Sequence, residues 1–188
     1  MDDNNLADNY FWYVLNLLSG KEEYVKSYLE SQFNDTFIIK LPKKKMLERY
    51  KKNYRETLKV LFPGYMFILI EKNKDTISII NDIELLRFKN IGLIKILKDS
   101  NTLKPISLEK KDVEKVLSWL NKEDFVDYTI GLKIGNEVRL LEGPFKDQIT
   151  KIVKINWRKF RISVQLNFLG HQTVDFPFTY IESLEQKK

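Results

Sequence analysis

Apolar residues in this chain fall in short blocks whose period changes along the sequence. The run "YFWYVLNLL", residues 10–18, is almost continuously apolar and rich in aromatics, which predicts a mostly buried strand. Ser19 and Glu22 then stand in the S-x-x-E spacing of a capping box. Beyond them Tyr24, Val25, Tyr28, Leu29 and Phe33 recur at helical spacing, so an amphipathic helix is expected to about Phe33. "TFIIKL" and "YMFILIE" read as strands, "TISIINDI" as a short helix and "LIKIL" as a further strand. Residues 107–120 read as a helix that turns Val113, Val116, Leu117 and Leu120 inward. Between "TFIIKL" and "YMFILIE" the chain shows no apolar period and is expected to be a mobile hairpin or loop. This order of elements predicts a layered α+β domain over residues 1–120, with helices packed on a mainly antiparallel sheet.

The period fades in "NKEDFVDYTIGLK", residues 121–133, which reads as a linker in which Phe125, Val126 and Ile130 are apolar enough to dock. After it come the short alternating segments "NEVRLL", "TKIVKIN", "FRISVQLN" and "HQTVDFP", punctuated by Gly135, Gly143-Pro144 and Gly170. Such spacing predicts a small SH3-like β-barrel over residues 134–188, with no helix of any length.

Composition narrows the function classes. Apolar residues make up 43% of the chain, enough for two cores, while 31% charged residues and the lack of any apolar run near the ~20 residues of a bilayer span exclude a membrane protein. The acidic, polar "MDDNNLADNY" is unlike a signal peptide, so the protein is expected in the cytoplasm. A monomer is expected. Cysteine is absent, which removes disulfides, thiolate catalysis and cysteine zinc sites. His171, the single histidine, lies in an alternating segment without a nucleophile signature and reads as a surface or strand residue. "SGKE" lacks the upstream glycine and the following Ser or Thr of a phosphate-binding loop. The carboxylates are scattered among lysines without a metal-binding cluster, so neither an enzyme nor a cofactor is expected.

Charge points elsewhere. The formal net charge is +6, concentrated in two patches: residues 40–59 carry nine basic against two acidic side chains, and residues 139–161 seven against two. Concentrated positive charge attracts polyanions through counterion release, making nucleic acid the first partner to consider; solvated loops are the alternative. In "KVLFPGYMFILI", Tyr65 and Phe67 share a strand face and the Pro63-Gly64 turn brings Phe62 beside them. Such a patch suits the tip of an amphipathic helix, the alternative being that these rings are core.

Three segments, "WYVLNLLSGKEEYVKSYLE", "LFPGYMFILI" and "GNEVRLLEGPFKDQITKIVKI", resemble the signature regions of the NusG family of transcription elongation factors, in the same order and at similar spacing. The resemblance implies an N-terminal NGN domain that grips the clamp helices of the largest RNA polymerase subunit, and a C-terminal KOW barrel that recruits a second partner. Carried over residue by residue, it implies polymerase binding by Asn16, Phe62, Tyr65 and Phe67.

The departures are specific. Where the family has an "NTPGV"-like turn near the non-template DNA strand, this chain has "NDIELLRF", which keeps Asn81 but loses the Pro-Gly, so Asn81 and Arg87 are the candidate DNA contacts. The glycine usual in the KOW motif falls at Thr150. With the basic barrel, these features make the chain resemble the LoaP branch, which implies an antiterminator using a hairpin in the nascent leader RNA. Lys146, Lys151, Lys154, Trp157, Arg158, Lys159 and Arg161 are then the candidate RNA-binding residues, with Trp157 able to stack. The alternative is a general factor whose barrel binds a ribosomal protein or a termination factor.

Overall fold

The computed structural model describes residues 3–134, 137–146, 152–166 and 172–182. Along them run α1 (Asp3–Asn9), β1 (Tyr10–Leu17), α2 (Glu22–Phe33), β2 (Ile38–Lys40), β3 (Lys43–Tyr50), β4 (Asn53–Val60), β5 (Tyr65–Glu71) and α3 (Thr76–Leu85). There follow β6 (Leu93–Ile96), α4 (Lys110–Leu117), β7 (Phe125–Val126), β8 (Thr129–Ile134), β9 (Glu137–Glu142), β10 (Ile152–Asn156), β11 (Arg161–Leu166) and β12 (Gln172–Glu182). The chain divides into two compact units, one of residues 1–41 and 62–117, the other of residues 42–61 and 118–188. Among the described residues no helix is long and apolar enough to cross a membrane.

In the first unit the apolar runs do what their composition demands. The sheet has the order β2-β5-β1-β6 and is antiparallel throughout. β1 and β5 are its two central strands, so their runs of Val, Leu, Ile and aromatic residues are buried almost without alternation. α2 buries Val25 and Leu29, α3 buries Ile80 and Ile83, and α4 buries Val113, Val116 and Leu117. The last helix ends at Leu117, short of the expected Leu120. α1 is an addition to the expected elements: it buries Leu6 and Ala7, and it is held by the Trp12 indole N–H donating to the Leu6 carbonyl at 3.0 Å.

The second unit is a curled five-stranded sheet of order β10-β11-β12-β8-β9 with a three-stranded sheet, β4-β3-β7. Trp119, Phe145 and Phe176 form its aromatic centre, with ring centroids 4.6 to 5.8 Å apart. Each such fully buried ring contributes on the order of 1.5–3 kcal/mol of burial. Residues 121–133, expected as a linker, instead supply β7, which pairs with β3, and β8, which pairs with both β9 and β12. Gly131 explains part of this: a Cβ there would stand 2.9 Å from the Phe178 ring, so the strand can lie against that ring only as glycine.

Residues 43–60, expected as a mobile excursion, form two eight-residue strands joined at Lys51-Lys52. The alternation is present but disguised, because the inward positions of β3 are Lys44 and Met46. Thr150, Lys151 and His171, and the turn glycines Gly135 and Gly170, lie outside the described residues.

Candidate functional site

The Pro63-Gly64 turn is the anchor of the first candidate surface. Pro63 presets the second position of a four-residue turn, Gly64 takes φ +81° at the third, and the Tyr65 N–H donates back to the Phe62 carbonyl at 3.0 Å. The Gly64 carbonyl accepts from the Leu17 N–H at 2.8 Å, which ties the turn to the end of β1. Glu22 completes the junction. Its buried carboxylate accepts the Gly64 N–H at 2.7 Å and the Gly20 N–H at 2.8 Å. Burial alone would raise this carboxyl group, but the N–H groups of Gly64, Glu22 itself and Gly20 outweigh it and hold it below its ordinary value. The expected capping box is therefore not formed: Glu22 has the right residue type at the right spacing, yet Lys21 precedes the helix without a side-chain cap and the carboxylate serves two glycine amides.

Around this turn the predicted residues separate. Tyr65 is half-buried at the start of β5, directly opposite Asn16, whose amide reaches toward the Gly64 carbonyl at 3.5 Å. Phe62 and Phe67 are 1% and 0% exposed; they meet edge to face at 5.6 Å, and Phe67 also packs against Trp12. In this structure they support the strand from within rather than offering surface, because β5 is a central strand buried from Met66 to Ile70. Asn81 is exposed on α3, and Arg87 is exposed on the following short 3-10 turn, its guanidinium 4.6 Å from the Phe88 ring.

The second candidate surface is the turn between β10 and β11. Asn156 caps it by accepting the Lys159 N–H at 3.0 Å, and Phe160 adopts φ +53° to turn the chain into β11. Arg158 and Lys159 are thereby held exposed, while Trp157 is half-buried, its ring 5.7 Å from Phe178 and 5.0 Å from Tyr180. The Lys133 ammonium lies 5.5 Å from the Trp157 centroid. Arg161 sits 3.6 Å from Asp175, which also accepts from the Ser163 hydroxyl, so part of its charge is committed within the sheet. Trp157, Arg158, Lys159 and Arg161 line one groove. Lys154 lies on a different surface with Glu137 and Val153, and Lys146 is exposed in the turn after Gly143-Pro144.

Two residues of β3 and β4 line the same groove: Arg49, which the sequence marked only as one of the basic residues of the 40–59 patch, and Tyr54, which it did not mark. What holds these strands there includes Lys44, whose ammonium donates to the Asp175 carbonyl at 2.6 Å and the Leu61 carbonyl at 3.4 Å. Burial pushes the Lys44 ammonium down to about 8, against the pull of Asp175. The unfolded chain would hold its lysine proton to about 10.4, so below pH 8 both states are charged and the full cost of burying the charge opposes folding. Between about pH 8 and 10 the folded state loses the proton first, and stability gains. Relative to Lys44→Met, the wild-type melting temperature should rise across that window; a difference between the two that stays flat from pH 8 to 10 would contradict this assignment of charge.

These elements define a protein that presents an aromatic strand end on one unit and a basic, aromatic turn on the other. The family model described as transcription termination factor nusG matches residues 10–117, more than half of the chain. Transcription termination/antitermination protein NusG of Pasteurella multocida is 26% identical over 182 residues, covering 91% of this chain and 93% of its own. That of Haemophilus influenzae is 27% identical (92% and 94% covered), and that of Staphylococcus aureus 25% (92% and 95%). A solved structure on domain interaction in Thermotoga maritima NusG superposes with a TM-score of 0.52 at 18% identity, over 91% of this chain and 94% of that one, and supports the fold. The chain belongs to the NusG family of transcription termination and antitermination factors.

Proposed function

We propose that this protein is a specialised antiterminator of the LoaP type, which loads onto RNA polymerase through its first unit and holds a hairpin of the nascent leader RNA with its second. The observation that carries the RNA part is the capped turn that keeps Arg158 and Lys159 exposed beside Trp157, a set of side chains suited to phosphates and an unstacked base. The polymerase clamp helices would meet the half-buried Tyr65 and Asn16, with Phe62 and Phe67 fixing the strand behind them. Asn81 and Arg87 would face the non-template DNA strand. Action of this kind needs only differential affinity: binding the elongating state 1–3 kcal/mol more tightly than the paused one shifts the population severalfold or more. The rival reading, a general factor whose barrel binds a ribosomal protein or termination factor, finds support in Val153 and Ile181, each 58% exposed on the curled sheet.

The test uses the full chain. Tyr65→Ala should weaken association with RNA polymerase about tenfold and leave RNA binding unchanged, as expected for a tyrosine anchor at an interface. Arg158→Ala combined with Lys159→Ala should do the reverse. Equal loss of one activity in both variants would rule out two separate sites, and tight capture of a ribosomal protein without RNA affinity would favour the rival.

A further inference from the structure

The groove beside the basic turn has a volume of about 770 Å³, within the ~300–1,000 Å³ range of sites that enclose a small organic ligand. Only one of its walls belongs to the curled sheet. The other is made by the strands β3 and β4, through Arg49 and Tyr54. We propose that these two strands are part of the RNA site: Arg49 and Tyr54, facing the Trp157–Phe160 turn, receive a base looped out of an RNA hairpin together with its flanking phosphates. The proposal rests on the reading that the basic turn binds RNA, and assigns that site its second wall and its preference.

Three observations support it. Tyr54 is 55% exposed although its ring packs at 89° to Phe160 with centroids 5.5 Å apart, so the ring is oriented by a neighbour yet leaves surface for stacking. Among the described residues, no carboxylate lies within ion-pair distance of Arg49, Arg158 or Lys159, whereas Glu48, the carboxylate in the groove, is taken by Lys59 at 3.2 Å. The groove therefore offers net positive charge to a ligand. Finally, the strands are placed by a costly device, the buried ammonium of Lys44 on the Asp175 carbonyl, together with the pairing of β3 to β7. Exposed cations interleaved with aromatic rings fit an unstacked nucleotide better than a regular duplex, whose bases have no free face, and RNA loops supply such nucleotides.

The experiment measures binding of the full chain to an RNA stem closed by an adenine-rich loop, to the same stem as a blunt duplex, and to the DNA stem-loop of the same sequence. Tyr54→Ala should weaken stem-loop binding about tenfold while leaving the blunt duplex unaffected, and Tyr54→Phe should restore it, because stacking needs the ring and not the hydroxyl. Arg49→Ala should reduce the slope of log affinity against log salt by about 0.7. Arg49→Glu, at an exposed position, should weaken binding further, and supplies the answer if Tyr54→Ala disturbs folding. If Arg49 and Tyr54 variants bind like wild type while the Arg158 and Lys159 double variant does not, the second wall is refuted and the RNA reading survives. If the wild type binds no RNA, the underlying reading fails and the inference with it. Equal affinity for the DNA stem-loop would overturn the assignment to RNA.

Discussion

Gly143→Ala is expected to unfold the second unit while sparing the first. Gly143 adopts φ +95°, a region that side-chain-bearing residues rarely enter. A Cβ there would also lie 2.6 Å from both the Thr129 Cα and the Tyr128 carbonyl oxygen. Both neighbours are backbone at the start of β8, the strand that joins β9 to β12, so nothing can rotate away and the sheet itself must move. Left-handed strain of about 1–2 kcal/mol and overpacking of about 1–3 kcal/mol act together, a loss of roughly 3 kcal/mol or more against the small net stability of a unit this size. Hydrogen exchange separates the outcomes. Amides of β8 to β12 should lose protection in the variant while those of β1 and β5 keep theirs, and RNA affinity should fall with polymerase association retained. Native protection in β8 and β9 would mean that the turn relaxes without strain.

The same glycine shows what the sequence made legible. Gly143-Pro144 announced a turn from composition alone, and the alternating segments around it announced the strands. Long apolar runs announced β1 and β5 equally well, because a central strand buried on both faces needs no alternation. Elements whose inward positions hold unexpected residues were hidden. The strand β3 buries a lysine, so its period of two reads as a basic run; β8 owes its place to a glycine under the Phe178 ring; α1 buries the small Ala7 and the medium-sized Leu6, which make no long apolar run. The site divides along the same line. Arg158, Lys159 and Trp157 are adjacent in sequence and could be read together, whereas Arg49 and Tyr54 meet them only across the groove, from strands far away along the chain. Local pattern carried no trace of that meeting. At the Pro63-Gly64 turn the residue types were right and the roles shifted, since Phe67 has the strand parity of Tyr65 but lies where the strand is fully covered.

Glu22→Gln should destabilise the first unit by about 2 kcal/mol, seen as a fall in melting temperature of roughly 10 °C. The carboxylate accepts the Gly20 and Gly64 amides with one oxygen each, and the residue is 5% exposed, so water cannot replace a lost partner. Glutamine keeps the shape but turns one acceptor into an amide donor, leaving one buried N–H facing another. The proton balance gives a second signature. The folded-state carboxyl group is held below its unfolded value, so its contribution to stability is complete above about pH 4.3 and drains away as pH falls through the lower folded value. Glu22→Gln has no such proton to gain, so the gap between wild type and variant should narrow below pH 4. Because the Gly64 amide sits one residue before Tyr65, the variant should also weaken polymerase association, by loosening the turn rather than by removing a contact. Tyr65→Ala should show that weakening without the acid-dependent change in stability, which separates the residue proposed to touch the partner from the one that holds it in place. If Glu22→Gln melts like wild type at neutral pH, the two glycine amides have found other acceptors and the carboxylate does not organise the turn.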